Sequence, residues 1–264
     1  MRKPTESKYR GAARLQWKGV WLGVVLACLG ATSGTAQQRA ERVRLVDSPT
    51  AGLVVKGRYG IDLRLFAQGG VIGQMQAGAL KRLTIGVAYG GERLVGDQDI
   101  EWYPRAETTV RYRLIEENSV WPALVLGYES QGYGRYLADR YQVKSKGVFA
   151  ALSKNYQSPL GQFGLHGGVN QSREDDDGDS DISGWVGLDK SLNEDLSIVA
   201  EYDLALNDDN GRANGTGEGY LNMGIYGAVV PHLEIGLLLK NILRSGPGEP
   251  EMSRELLVHY SEEF

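Results

Sequence analysis

From about residue 57 onward the chain alternates between apolar and polar residues with a period of two. "LSIVAEYDLAL" sets Leu196, Ile198, Ala200, Tyr202, Leu204 and Leu206 on one face and Ser197, Val199, Glu201, Asp203 and Ala205 on the other. "RYGIDLRLF" sets Tyr59, Ile61, Leu63 and Leu65 against Asp62 and Arg64, and "TVRYRLI" sets Val110, Tyr112 and Leu114 against Arg111 and Arg113. "QFGLHGGVN" places His166 opposite Phe163, Leu165 and Val169, and "LEIGLLLK" places Lys240 opposite Leu233, Ile235, Leu237 and Leu239. Successive side chains of a strand point to opposite faces, so this pattern predicts strands. Helical spacing fits poorly, because a polar residue or a glycine interrupts at nearly every second place.

About twelve such segments follow one another, near 57–67, 70–79, 82–90, 107–116, 121–131, 146–156, 161–171, 182–190, 196–206, 219–229, 232–242 and 254–264. Most run to about 9–11 residues, the length a tilted strand needs to cross the hydrocarbon layer of a membrane and longer than a typical globular strand. The links between them alternate in length. "GERLVGDQDIEWYPRA" is long and "ENSV" short, "GYGRYLADRYQVKS" long and "QSPL" short, "NDDNGRANGTGEG" long and "VP" short. A membrane barrel has tight turns at one rim and loops at the other. The first link, "AQGG", breaks the rhythm. The pattern predicts an all-β fold, a transmembrane antiparallel up-and-down β-barrel of about twelve strands, closed so that no backbone edge meets lipid. A secreted soluble β-barrel that binds an apolar ligand would show the same parity with the faces exchanged.

Counting back in twos from Phe264 gives Tyr260, Val258 and Leu256, with Glu262 interrupting. This ending resembles the C-terminal signature of bacterial outer-membrane barrels. That resemblance implies an assembly signal at Phe264, Tyr260, Val258 and Leu256, read by the barrel-insertion machinery. "LTIGVAYGGERLVGDQDIEWYPRAETTVRYRLIEE" and "DKSLNEDLSIVAEYDLALND" resemble stretches of the YjbH-like outer-membrane barrels. That resemblance implies a role at the cell surface, associated with exopolysaccharide, and supplies no catalytic residue. Tyr89, Trp121, Tyr128, Tyr202, Tyr226 and Tyr260 fall at strand ends or on the apolar face, as aromatic girdles at the membrane interfaces do.

The other end begins with the basic "MRKPTESKYRGAARLQWKG", followed by the apolar "VWLGVVLACLGA" and the small residues "TSGTA". This is the order of a secretory signal peptide cleaved after Ala36. Retention as an anchor, or lipidation at Cys28, is the alternative. The expected organisation is a signal peptide over 1–36, an N-terminal periplasmic segment over 37–56 and an outer-membrane β-barrel over 57–264. The formal charge of the whole chain is −4, and loss of the basic leader makes it more acidic, which argues against nucleic acid as a partner. The single cysteine leaves with the leader, so no disulfide is expected.

Candidate lumen-lining residues are Asp62, Arg64, Arg111, Arg113, His166, Asp189, Glu201, Asp203 and Lys240, all of polar parity. They either set the selectivity of a pore or pair across the lumen and stiffen or plug it. "EDDDGDSD" offers Asp175, Asp177 and Asp179 as a calcium candidate, but EF-hand spacing fails, because Arg173 falls at position 1 and Gly184 at position 12. A solvated outer loop, in reach of lipopolysaccharide, is the simpler reading. "GYGRYLADRY" carries Tyr133, Tyr136 and Tyr141, which would either contact a glycan or pack within the loop. No Gly-x-Ser-x-Gly elbow, His-Glu-x-x-His pair or phosphate loop is present, so no catalytic residue and no cofactor is expected. The function expected is a non-enzymatic outer-membrane barrel, a narrow channel or an accessory to polysaccharide export, in contact with outer-membrane lipid. A barrel enzyme acting on lipid or surface material is the alternative.

Overall fold

There are fifteen strands among the described residues: β1 (Arg58–Phe66), β2 (Gly70–Leu80), β3 (Leu83–Glu92), β4 (Glu101–Trp102), β5 (Glu107–Ile115), β6 (Ala123–Glu129), β7 (Tyr133–Leu137), β8 (Arg140–Val143), β9 (Gly147–Ser158), β10 (Gly161–Gln171), β11 (Ser183–Ser191), β12 (Leu196–Asp203), β13 (Tyr220–Val230), β14 (Leu233–Lys240) and β15 (Ser253–Glu263). The alternating segments form twelve of them, and the links supply β4, β7 and β8. The computed structural model describes residues 41–159, 161–209, 217–246 and 252–264. The leader, the cleavage position after Ala36 and Cys28 lie outside the described residues.

Twelve strands close on themselves. β1 pairs with β2 on one side and with β15 on the other, in a register that sets Asp62 against His259 and Leu63 against Val258. From β2 the ladder runs through β3, β5, β6 and β9, then strand by strand to β15, antiparallel throughout. A closed antiparallel sheet has no free edge, so its backbone groups are satisfied without water. β4 only extends the end of β3, and β7 and β8 pair as a separate hairpin.

Which face points inward decides between a membrane barrel and a soluble one. Along β5 the alternation is complete: Arg111 is 0% exposed and its neighbour Val110 is 43% exposed. Ile61, Leu63, Met75, Val87, Leu126, Leu152, Val186, Ile225 and Leu237 are likewise exposed on the outside, whereas Arg64, Gln74, Gln76, Ser153, His166, Glu201, Asn222 and Lys240 are buried within. This is the reverse of a soluble ligand-binding barrel, whose apolar face would point inward. No helix among the described residues is long and apolar enough to cross a membrane; the apolar surface belongs to the strands.

Both ends of the barrel chain, Arg58 and Glu263, meet at one rim, called here the terminal rim. The links at that rim are 81–82, 116–122, 159–160, 192–195 and 231–232, and those at the far rim are 93–106, 130–146, 172–182, 204–219 and 241–252. The exception is the far-rim link Ala67–Gly69, a single 3-10 turn. Gly69 has φ 69°, and a Cβ there would lie 2.0 Å from the Val95 carbonyl oxygen of the loop folded over it, so only glycine fits.

Phe264 donates its N–H to the Gly57 carbonyl at 2.9 Å and its ring stacks on Tyr59 with centroids 6.2 Å apart. Of the residues expected in a girdle, Tyr89 faces outward and stacks on Trp102 at 5.6 Å. The expectation fails at Tyr226, which is 2% exposed and turned into the lumen. On β13 the inward residues are Tyr220, Asn222, Gly224 and Tyr226, and Leu221, Met223 and Ile225 face out.

Candidate functional site

Twelve strands enclose more space than side chains alone fill, since eight already leave room only for side chains and sixteen or more leave an aqueous channel. In this chain residues 41–56 occupy that space. The sequence reading places 37–56 in the periplasm ahead of the barrel; its described part instead folds into the lumen, with Leu45, Val46, Asp47, Ser48, Thr50 and Ala51 each 2% exposed or less.

The segment is an inserted loop. Arg44 and Pro49 face each other across an antiparallel bridge, Thr50 donates to the Val43 carbonyl at 3.1 Å, and Leu45 donates to the Ser48 carbonyl at 3.0 Å. Its two legs run toward the terminal rim and its tip, 45–48, points to the far rim. Lys56 bridges Gly78 and leads directly into β1.

Glu201 of β12 holds the tip. Its carboxylate accepts three successive backbone N–H groups, from Val46 at 3.0 Å, Asp47 at 2.9 Å and Ser48 at 2.9 Å, and the Asn222 side-chain amide at 2.9 Å. A carboxylate suits this position because it is acceptor-only with four lone-pair sites. Beside it Asp47 pairs with Arg64 at 2.8 Å and Lys240 at 2.8 Å, and both of these also pair with Glu255 of β15. Arg44 pairs with Glu129, which also takes Arg111 at 3.2 Å, and Arg111 donates to the Val43 carbonyl at 2.6 Å. Arg113 donates to the Ala51 carbonyl at 2.6 Å and pairs with Glu41. Trp185 Nε1 donates to the Pro49 carbonyl at 3.1 Å, and the Tyr226 hydroxyl to that of Leu45 at 2.6 Å. Arg42, on the first leg, pairs with Glu234 at 3.0 Å.

A polar relay runs from the second leg into the wall. The Ala51 N–H donates to Ser153 Oγ at 2.8 Å, Ser153 Oγ lies 2.7 Å from His166 Nδ1, and His166 Nε2 lies 2.7 Å from Asp189 Oδ1. Gly164 makes room for it, since a Cβ there would lie 2.4 Å from Asp189 Oδ1. Elsewhere on the inner wall His259 Nδ1 lies 2.6 Å from Asp62 Oδ1.

The β7–β8 hairpin covers the lumen from the far rim. Tyr133 lies between the two covers, its ring 4.2 Å from the Arg64 guanidinium carbon, 5.0 Å from Lys240 Nζ and 5.4 Å from the guanidinium carbon of the plug's Arg44. The junction is incompletely satisfied: the buried Tyr133 hydroxyl and Arg44 Nε have no hydrogen-bond partner among the described residues. Tyr133 and Tyr141 are buried and pack with Tyr103, Phe66 and Ile72, so of the three loop tyrosines only Tyr136 keeps partial access to solvent.

The acidic loop 172–182 clamps this hairpin. Asp177 pairs with Arg140 at 2.5 Å and Lys144 at 2.8 Å, Arg140 also pairs with Asp208 at 2.9 Å, and Glu174 accepts the backbone N–H groups of Tyr141 at 2.9 Å and Ser145 at 3.1 Å. The calcium candidate Asp175, Asp177 and Asp179 lies in this loop. Asp177 is engaged by two protein cations, and no group of metal-ligating side chains occurs among the described residues. Burial alone would raise the Asp177 carboxyl, but the hydrogen bond and charge of Lys144, with Arg140, outweigh it and hold the group below the ordinary carboxylate range. For Glu174 burial prevails over its hydrogen bonds and raises it.

All nine lumen candidates face inward. Arg64, Arg111, Arg113, Glu201 and Lys240 hold the plug directly, and His166 with Asp189 hold it through Ser153. Asp203 pairs instead with Lys146 beneath the loops, and Asp62 with His259. Ser153, Glu129 and Tyr226 also hold it, and Asn222 and Glu255 brace the residues that do; of these Tyr226 was read from sequence as a girdle residue and the others were not singled out, their inward parity being the available signal.

No protein-family model matches the sequence, and no curated protein is similar to it. Among solved structures, a NanC porin is 7% identical with a TM-score of 0.41 over 78% of this chain and 99% of that one. An outer membrane channel from Pseudomonas putida F1 is 12% identical with a TM-score of 0.40 over 80% of this chain and 97% of that one. The outer membrane channel DcaP of Acinetobacter baumannii is 10% identical with a TM-score of 0.32 over 80% and 100%. These likenesses are too low to carry an argument, and the closed barrel stands on the strand pairing of the chain itself.

Proposed function

We propose that this chain is a non-enzymatic outer-membrane channel held closed by its own N-terminal segment. The observation that carries the reading is the plug: a loop entered and left at one rim, seated in a charged lumen by side chains rather than by strand pairing. Because both legs reach the terminal rim, the loop can withdraw there without threading through the barrel. The outward apolar band and strands of membrane-crossing length support a membrane location, and the short links at the terminal rim support its facing the periplasm. A part in exopolysaccharide export rests on the YjbH-like resemblance alone. The test is conductance of the full chain in planar bilayers. The wild type is expected to be closed most of the time and Glu201→Gln to open at least tenfold more often. Absence of conductance from both would refute a channel.

Ser153, His166 and Asp189 favour a second reading, a barrel hydrolase of lipid or surface material. A serine hydroxyl beside a base that is oriented by a carboxylate is the arrangement of an activated nucleophile. Against it, Ser153 is 5% exposed and its oxygen already accepts the Ala51 N–H. Covalent labelling of Ser153 by a fluorophosphonate, lost in His166→Asn, would establish the hydrolase; no label on the wild type or on Glu201→Gln would remove it.

A further inference from the structure

The seat of Arg42 has the chemistry of a guanidinium-binding site. Three consecutive strands build it. Tyr226 of β13 presents its ring face 4.0 Å from the guanidinium carbon. Glu234 of β14 accepts from both terminal nitrogens, at 3.0 and 3.3 Å, and Ser197 of β12 accepts at 3.1 Å. A planar cation stacked on an aromatic face and gripped at its edge by a carboxylate is recognised by shape, charge and hydrogen-bond direction together. Tyr226, Glu234 and Ser197 all belong to wall strands, so the wall alone builds the site. Its occupant is not part of the wall.

Withdrawal of the plug would leave the wall charges unequally served. The cations keep wall partners: Arg64 and Lys240 lose Asp47 and share Glu255, Arg111 keeps Glu129, and Arg113 loses Glu41 and keeps Glu116. Glu234 loses the guanidinium of Arg42, and Glu201 loses three N–H donors and retains Asn222. The uncovered lumen therefore turns acidic at Glu234, on the terminal-rim side where the aromatic face is also released, and at Glu201 nearer the far rim.

We propose that Tyr226, Glu234 and Ser197 form a binding site for small organic cations bearing a guanidinium or ammonium group, which Arg42 occupies as a tethered stand-in while the plug is seated. This deepens the plugged-channel reading and rests on it for the solute's route. A tethered occupant competes at millimolar effective concentration, so removing its head group should uncover the site.

The test is equilibrium binding of radiolabelled agmatine to the full chain in detergent, with folding checked by the mobility of unboiled samples. Arg42→Gln keeps part of the side chain's stem and Arg42→Ala removes it; either is expected to bind agmatine at least tenfold more tightly than the wild type. Adding Glu234→Gln should abolish the gain. No gain in either folded Arg42 variant overturns the site, as does a gain that Glu234→Gln leaves intact. Conductance of the same variants separates the two readings. Currents without agmatine binding leave the channel and remove the site, whereas binding without currents leaves the site and removes the channel.

Discussion

The carboxylate of Glu201 carries the plug's tip, and its replacement tests that directly. In Glu201→Gln the side chain keeps one acceptor oxygen and presents an NH2 group where an acceptor stood, so at least one of the N–H groups of Val46, Asp47 and Ser48 loses its partner. Leaving a buried donor unsatisfied costs about 1–3 kcal/mol. Amide exchange at these positions should accelerate about tenfold or more, and an unchanged rate would show that the tip is held by packing instead. Ser153→Ala acts on the second leg, stranding both the Ala51 N–H and His166 Nδ1, and should speed exchange at Ala51 to a similar degree with little effect at Val46. The inward direction of these residues was legible in sequence, since parity alone placed Arg64, Arg111, Glu201 and Lys240 on one face. Their partners were not. Asp47 meets Lys240 from the other end of the chain, and Arg42 meets Glu234 across 192 residues, and alternation within a strand says nothing of what enters the lumen. Tyr226 shows the converse error: its aromatic character suggested an interfacial girdle, while its position on β13 sets it inward with Asn222 and Gly224.

Among the elements, the far-rim cover is the part whose strength should depend on pH. Glu174 is raised by burial, so between its ordinary pKa of about 4.3 and its raised value the folded loop binds more protons than the unfolded one, and stability rises as pH falls. Asp177 is lowered by Lys144 and Arg140, so its contribution is present above its ordinary pKa of about 3.9 and is lost as pH falls below that toward the folded value. The clamp of loop 172–182 on β7–β8 should therefore tighten slightly on mild acidification and loosen below about pH 4. Limited proteolysis of the far-rim loops with an acid-tolerant protease, followed across pH 3–7, checks this. A monotonic response would contradict it. Asp177→Asn should remove the loosening limb, because the neutral side chain no longer pairs with Arg140 and Lys144. The twelve wall strands were legible to within a few residues because each is long and strictly alternating. β7 and β8 were not, being short strands inside a link read as a loop. The plug was also missed, because Pro49 and Gly52 interrupt its alternation and its bonding partners are spread over distant strands.

At the scale of the whole molecule, wall and plug are held by different kinds of interaction. The wall is a continuous ladder from β1 round to β15, whose release exposes every strand together. Among the described residues the plug touches the wall through side chains, apart from the backbone bridge of Lys56 to Gly78 and the Arg58 N–H to the Val55 carbonyl where it joins β1, and its junction with Tyr133 leaves buried polar atoms unpaired. Segments with few backbone bonds to their surroundings open at lower free energy than the cooperative unit around them. The molecule should therefore lose its plug before its barrel. Heated stepwise in mild detergent, the chain should become cleavable within 41–56 at temperatures where the unboiled sample still migrates as the compact band, and Glu201→Gln should widen that interval by lowering only the first transition. The acidity of the uncovered lumen gives a second sign of the same intermediate: currents recorded after cleavage of the plug should favour cations over anions, because Glu234 and Glu201 then stand without their plug partners. Cleavage that appears only together with the mobility shift would mean that plug and wall form one cooperative unit. The seated loop would then be a structural core of the barrel rather than its gate.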